Sequence, residues 1–315
     1  MRKIIFVLLI SVFYNTFAQT DLYKIHFYQS FDDNTPGPYL RSEWKEDWKP
    51  TWSHSDPREE NWNSYGQLKI VAEGENKFFR REVKAGEIST GEKKGCNWYI
   101  DIDDVDEMYY SFKVRFPENL FTQNKHFEGK INGMYNPYSD KPVGTKPDPN
   151  TGFTTFMMFQ NTKDFKNIEI FLYISYQEMR CNACAGDYPL AFCPDEYKLY
   201  YGNWRPVNFL FDPDKWYTIT QRLVMNDPFQ SNGIIEIFIN NELIASYDDY
   251  RFRDTDSLKI EYLLVTSFFG GGPPVASEVD TYFDFDDFMA FTYKVGANVP
   301  RGTKKSTVEG SLSFR

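Results

Sequence analysis

The chain has 315 residues, of which 41% are hydrophobic and 18% are aromatic, and its formal net charge at pH 7 is −10. This charge argues against nucleic acid and anionic membrane surfaces as partners, because both would repel the protein. It does not exclude a polyanionic substrate, since a local basic groove can oppose the overall charge balance.

The first residues have the pattern of a secretory signal peptide. Arg2 and Lys3 precede an apolar run over 4–13, and a small-residue cleavage site ends at Ala18. The apolar run is too short to span a bilayer, and no later stretch reaches roughly 20 apolar residues. We therefore expect residues 1–18 to be removed and the mature protein to be secreted or periplasmic.

The remainder of the chain predicts β-strands separated by turns, and no segment has the long apolar face of an amphipathic helix. The pattern predicts an all-β fold, a β-jelly roll or concanavalin A-like sandwich of two antiparallel sheets. We expect one domain over 19–295 and a polar C-terminal tail over 296–315. The segments predicted as strands are rich in β-branched and aromatic residues and cover 66–74, 108–117, 153–160, 168–176, 215–225, 233–247, 260–271 and 281–294.

The segment "IEIFLYISY", residues 168–176, has two different faces. Alternation places four aliphatic side chains on one face, which predicts that this face lies in the core. The other face carries a carboxylate, two rings and a hydroxyl, from Glu169, Phe171, Tyr173 and Ser175. This second face is either a concave binding surface or a face buried under a loop, and the pattern alone does not decide between them.

A dense acidic run, "YIDIDDVDE", covers residues 99–107. Asp101 and Asp103 are expected on one face of a strand, where paired carboxylates could hydrolyse a glycosidic bond. Calcium binding is a second possibility. We favour the simplest interpretation, a solvated acidic turn.

Histidine supplies no metal site or catalytic triad in this sequence. The three histidines, His26, His54 and His126, lack metal-ligand spacing, and no nucleophile motif surrounds them. We therefore assign no metal site to the histidines, and calcium at the acidic run stays the one metal considered.

The four cysteines predict disulfides rather than zinc, because the chain begins with a signal peptide. Three of them lie within "CNACAGDYPLAFC". One bridge from the isolated cysteine to this cluster and one bridge inside it form a plausible arrangement, but the pairing stays open. The residues concerned are Cys96, Cys181, Cys184 and Cys193.

Lys130 lies between two glycines in "EGKINGMYN", residues 128–136. The composition of this segment alone indicates a solvated lysine in a loop. Lysine and tyrosine together can, however, cleave a polyuronate by β-elimination, in which a base removes the C5 proton and an acid protonates the leaving oxygen at C4. A lysine ammonium about 4 Å from a phenol supplies on the order of 4 kcal/mol, about enough to bring the phenol pKa from about 10 into the working range.

Four stretches in the same order resemble polysaccharide lyase family 14 and its glucuronan-lyase relatives, which are jelly rolls. The first is similar to that family's strand ending in Phe-Pro-Glu, followed by its Gly-Gly-Lys-Leu-Pro-Gly-Leu-Tyr loop. The others are similar to its Glu-Val-Tyr-x-Tyr strand, its Gln-Arg-Val run and its Phe-Phe-Gly-Gly close. The stretches cover 110–136, 168–176, 214–244 and 263–291.

The resemblance implies which residues carry the chemistry. The family's loop lysine falls on Lys130, between Gly129 and Gly133, and the second of its strand tyrosines falls on Tyr173. These two residues are the expected catalytic pair, with Lys130 stabilising negative charge and Tyr173 acting as base, acid or both. The tyrosine of the lysine loop falls on Tyr135.

The sequence also departs from the family pattern. The first strand tyrosine is Phe171 here, and the family's Ser-x-Arg falls on Thr154 and Phe156, so its arginine is missing. A cation such as Arg222 could bind uronate carboxylates if its strand faced the groove, or it could be an outward ion-paired residue. The expected substrate-binding residues are Tyr135, Thr154, Phe171, Tyr176, Arg222, Asn132 and His126.

The sequence thus predicts a secreted, monomeric polysaccharide lyase that needs no cofactor and acts on an anionic, uronate-containing polymer, alginate or glucuronan-like. Two alternatives stay open. One is a non-catalytic glycan-binding jelly roll, and the other is a glycoside hydrolase that uses the acidic run.

Overall fold

The computed structural model describes residues 22–53, 68–88, 96–136, 147–148, 150, 152–178, 203–270 and 275–294. Strands dominate these residues, and two short helices interrupt them. In chain order the elements are β1 (Tyr23–Gln29), β2 (Gly37–Pro38), α1 (Arg41–Trp48), β3 (Trp52–Ser53), β4 (Leu68–Glu73), β5 (Asn76–Val83), β6 (Cys96–Val105), β7 (Glu107–Arg115), α2 (Glu118–Phe121), β8 (Glu128–Asn136), β9 (Phe153–Asn161), β10 (Ile168–Ser175), β11 (Asn203–Phe211), β12 (Trp216–Val224), β13 (Gly233–Ile239), β14 (Glu242–Tyr250), β15 (Ile260–Phe269) and β16 (Thr281–Tyr293).

The strands form two antiparallel sheets. The nine-stranded sheet has the order β14-β13-β12-β7-β16-β5-β4-β2, with β1 also paired to β16. The seven-stranded sheet has the order β11-β10-β9-β8-β15-β6-β3. Strands that are neighbours in a sheet are mostly distant in sequence, as expected for a sandwich with crossing connections. The all-β jelly-roll sandwich predicted from the sequence is confirmed.

The core lies between the two sheets and is built from their inward faces. On β10, Ile168, Ile170, Leu172 and Ile174 are at most 1% exposed, as alternation predicts. From the nine-stranded sheet, Phe112, Ile219 and Phe285 belong to the same cluster. The other face of β10 therefore points away from the core.

The segment around Lys130 is a strand and not the loop that its composition suggested. Ile131 and Met134 of β8 are fully buried in the core, and β8 lies between β9 and β15 in the middle of its sheet. A Cβ atom on Gly133 would overlap the backbone carbonyl of Thr155 on β9. The glycine is therefore needed for close approach of the strands, and tertiary packing overrides the low strand propensity of this segment.

Cys96 is a free thiol and 4% exposed, so the disulfide expected for it is not present in the structure. Its side chain packs among core residues, and burial raises the pKa of the thiol to about 12. The other three cysteines lie outside the described residues.

None of the described helices is long and apolar enough to cross a membrane. The signal peptide, the polar tail and His54 lie outside the described residues.

Candidate active site

The outward face of the seven-stranded sheet is lined with aromatic rings. Tyr99 and Tyr135 lie in contact with ring centres 4.9 Å apart, and Phe156 stacks on Tyr173 at 6.2 Å. We call this surface the ring-lined face. Across the strands from β6 to β11, its rings are Tyr99, Tyr262, Phe268, Tyr135, Phe156, Phe171, Tyr173 and Trp204.

The side chain of Lys130 lies among three of these rings. Its Nζ atom is 4.6 Å from the centre of the Tyr173 ring, 5.1 Å from that of Phe156 and 5.8 Å from that of Phe268. No carboxylate of the described residues is in ion-pair contact with Lys130. The structure thus brings together the two residues that the sequence singled out as a catalytic pair.

Burial lowers the pKa of Lys130 to about 8, and the nearby carboxylate of Glu128 opposes this shift without cancelling it. The physical cause is that the rings replace the water that would solvate an ammonium ion. A lysine with such a pKa exists in both its charged and its neutral form near neutral pH. It can therefore exchange a proton, which an ordinary surface lysine at this pH does not do.

A β-bulge in β8 sets which residues face this site. Ile131 pairs with Met157 and Gly133 pairs with the next residue, Phe156, so Asn132 is an extra residue in the strand. Lys130 and Tyr135 are an odd number of residues apart, and strict alternation would place them on opposite faces. The bulge brings both onto the ring-lined face.

Asn132 also closes the gap that the bulge opens in the sheet. The backbone N–H of Thr266 on β15 donates a hydrogen bond of 3.0 Å to its Oδ1 atom. Its Nδ2 atom is buried and has no hydrogen-bond partner among the described residues. Thr154 is paired in register with Tyr135, and its hydroxyl oxygen is also buried without a hydrogen-bond partner among the described residues.

A sequence model of the family described as Polysaccharide lyase 14 matches residues 72–288. The chain belongs to the polysaccharide lyase 14 family. The resemblance seen in the sequence motifs is confirmed, and family membership identifies the protein as a polysaccharide lyase. No curated protein sequence matches it.

Solved alginate lyases have the fold of this polysaccharide lyase. The PL-14 alginate lyase from Aplysia kurodai is 18% identical with a TM-score of 0.63, covering 85% of this chain and 98% of its own. The alginate lyase Aly36B is 18% identical with a TM-score of 0.60, covering 84% and 95%. The alginate lyase vAL-1 from Chlorella virus is 14% identical with a TM-score of 0.55, covering 73% and 90%.

Two residues predicted to bind substrate are not on the ring-lined face of the lyase. Arg222 lies on β12 of the other sheet, where its Nε atom donates to Glu107 and its Nη1 atom donates to Glu236, both at 2.8 Å. Tyr176 continues the core face of β10, and its ring packs on Tyr250 at 5.0 Å. Both predictions are wrong. Arg222 is an ion-paired residue, which was the alternative interpretation of the sequence, and Tyr176 belongs to the core.

His126 lies at the end of β8 beyond Glu128. Its Nδ1 atom is 3.1 Å from Oδ1 of Asn161, and its Nε2 atom is 3.7 Å from the carboxylate of Glu128. The side chain is about half exposed. It lies beside the ring-lined face, and no contact between described residues joins it to Lys130.

Three carboxylates of the acidic run are in ion pairs, those of Asp103, Asp106 and Glu107. Asp103 pairs with Lys24, and this hydrogen bond and charge lower the pKa of the Asp103 carboxyl. A glycosidase needs one carboxyl with a raised pKa as general acid, so Asp103 is unsuited to that role. Asp106 pairs with Arg253 and Lys259. The described residues contain no group of three or more side chains arranged to hold a metal ion.

Sequence reasoning missed Trp204, which lies on β11 opposite Tyr173. The signal was obscured because Pro206 and a bulge around Asn208, whose φ is 59°, interrupt the alternation of β11. Trp204 is distant from Tyr173 in the sequence, and only the pairing of β10 with β11 places the two side by side.

Proposed function

We propose that this polysaccharide lyase cleaves a uronate-containing polysaccharide by β-elimination, with Lys130 as the base and Tyr173 as the acid. The observation that carries this proposal is the position of the Lys130 Nζ atom, 4.6 Å above the Tyr173 ring on the ring-lined face. The lowered pKa of Lys130, about 8, supports the role of base, because a useful base must be partly neutral at working pH.

The proposed reaction moves one proton onto the enzyme and one proton off it. The neutral amine of Lys130 takes the C5 proton of the uronate, and the electron pair of that C–H bond forms the C4–C5 double bond. The bond between C4 and the glycosidic oxygen breaks, and the hydroxyl of Tyr173 gives its proton to the leaving oxygen. The product carries a 4,5-unsaturated sugar at its new non-reducing end.

The uronate carboxylate must be held by groups other than an arginine at the family position, which is Phe156 in this chain. We propose Asn132 and Thr154 for this role, since Asn132 follows Lys130 closely on β8 and Thr154 is paired in register with Tyr135. Both side chains can donate a hydrogen bond to a carboxylate oxygen. Tyr135, also on the ring-lined face, is proposed to contact the sugar rings, and His126 is proposed to border the substrate at the end of β8. Phe171 lies on the same face, but it is only 5% exposed beneath Trp204 and is proposed to act by supporting that ring.

Alginate is the proposed first substrate. The structural neighbours from Aplysia kurodai and Chlorella virus are alginate lyases, and variants of Aly36B have been solved with alginate trisaccharide and tetrasaccharide. The test is incubation of the purified protein with alginate and other polyuronates while the absorbance of the unsaturated product is followed. Binding without new absorbance would instead support the non-catalytic glycan-binding alternative, which the loss of the family arginine favours.

The pH dependence of kcat/KM should follow the neutral form of Lys130. We expect kcat/KM to rise about tenfold per pH unit below pH 8 and to level off above it, because only the neutral amine accepts the C5 proton. Steady-state rates on alginate across this pH range check the prediction. A profile that falls as the pH rises through 8 would show that the ammonium form is required, and the roles assigned to the two residues would be wrong.

We also propose that the protein is exported after cleavage behind Ala18, on the pattern of residues 1–18. Expression of the full chain in a bacterial host should place the mature protein outside the cytoplasm, with Gln19 at its amino terminus. N-terminal sequencing of the exported protein checks this expectation, and an intact Met1 would contradict it.

A further inference from the structure

An exposed tryptophan extends the ring-lined face to the edge of its sheet. Trp204 is 46% exposed, although a tryptophan on a strand usually buries most of its surface. Its ring stacks on Phe171, with ring centres 4.5 Å apart and planes 22° apart, and Phe171 itself is only 5% exposed. Phe171 therefore supports the indole from below and holds it in one orientation.

This platform is continuous with the proposed catalytic pair. Trp204 and Tyr173 are opposite each other in register, and their ring centres are 6.4 Å apart. A sugar ring placed on Trp204 would therefore be the neighbour of the sugar that reacts at Tyr173.

The charges around the platform do not favour recognition of a carboxylate. On the ring-lined face of β10 and β11, the only charged side chain among the described residues is Glu169, which accepts a hydrogen bond of 2.8 Å from Gln160. The nearest cation along β11, Arg205, points to the opposite face and binds Tyr250 and Asp249. Stacking is thus the interaction that this surface offers.

We propose that Trp204, supported by Phe171, forms a sugar-binding subsite that holds the apolar face of a pyranose ring next to the sugar cleaved at Tyr173. The electron-rich face of the indole attracts the C–H groups of the sugar face, and burial of both surfaces adds a hydrophobic contribution. This subsite rests on the proposed function, since it defines where the neighbouring sugar of the same polymer lies. The subsite recognises the apolar face of a sugar ring and not its charge, so it accepts a uronate or a neutral sugar at this position.

The test measures binding separately from turnover. Calorimetric titration with an alginate hexasaccharide is done on Lys130→Ala, on Lys130→Ala with Trp204→Ala, and on Lys130→Ala with Leu210→Ala. Leu210 is the matched control, because it is 53% exposed on the same face of the same strand. We expect Trp204→Ala to raise Kd about tenfold and Leu210→Ala to change it less than about twofold. Trp204→Phe should keep most of the affinity.

A second measurement distinguishes stacking from an indirect effect on charged groups. The ratio of the Kd values with and without Trp204 should be the same at low ionic strength and at about 0.15 M, although both Kd values rise with salt. A ratio that depends on salt, or equal losses for Trp204→Ala and Leu210→Ala, would overturn the subsite. A parent variant that binds no hexasaccharide would contradict both the subsite and the proposed substrate, whereas binding that does not depend on Trp204 would contradict the subsite alone.

Discussion

Replacing Lys130 by alanine is expected to lower kcat on alginate by about a thousandfold, because the reaction then lacks a base at C5. The groups that surround the Nζ atom of Lys130 are the rings of Tyr173, Phe156 and Phe268, and none of them is a strong base that could take over the role. The absorbance of the 4,5-unsaturated product measures the loss. Full activity in Lys130→Ala would show that the mechanism is wrong even though the family assignment stands.

Lys130→Arg is the matched control for this prediction. Arginine keeps the positive charge and can reach the same rings, but its guanidinium does not lose a proton in proteins. If Lys130 acts as the base, Lys130→Arg is expected to be as inactive as Lys130→Ala. Substantial activity in the arginine variant would instead assign Lys130 to charge stabilisation, which is the role that the sequence suggested.

Tyr173→Phe is expected to lower kcat by about a hundredfold or more, because the leaving oxygen then receives no proton from the enzyme. The substitution keeps the ring that stacks on Phe156 and lies under Lys130, so the stability of the fold should change little. The same absorbance assay measures the effect. Tyr28→Phe, at a 43% exposed tyrosine on β1 of the other sheet, is the matched control and should retain activity.

A substrate with a better leaving group separates the two roles. A uronate that carries nitrophenolate at C4 needs no acid, because this leaving group departs as a stable anion. Tyr173→Phe should recover much of its rate on such a substrate, whereas Lys130→Ala should not. Equal rescue of both variants would contradict the division of labour between base and acid.

The fold was largely predictable because strands with one buried face alternate in sequence. The core face of β10 is the clearest case. Tyr176 was predicted to bind substrate instead, although it continues the alternation from Ile174 and lies in the core. Period two also separated Arg222 from the core residues of β12, but it could not say to which sheet β12 belongs. That depends on pairing with β7, which is more than a hundred residues away in sequence.

The site was predictable only in part. Lys130 and Tyr173 were found through the order of motifs, since their proximity depends on the pairing of β8, β9 and β10. The strand around Lys130 was missed because its glycines and asparagine have low strand propensity and only the packing of Ile131 and Met134 reveals it. The lowered pKa of Lys130 was missed as well, because burial depends on rings contributed by three different strands.

The bulge at Asn132 bears on how distant relatives are compared. Before Asn132 the even-numbered residues of β8 point to the ring-lined face, and after it the odd-numbered residues do. An alignment gap placed on one side of Asn132 or the other therefore changes the face on which Tyr135 is inferred to lie. A homologue that lacks this one residue could retain a lysine and a tyrosine that match in the alignment and still turn the tyrosine into the core. Transfer of site residues between members of the family therefore requires that the bulge be matched first, before any side chain is compared.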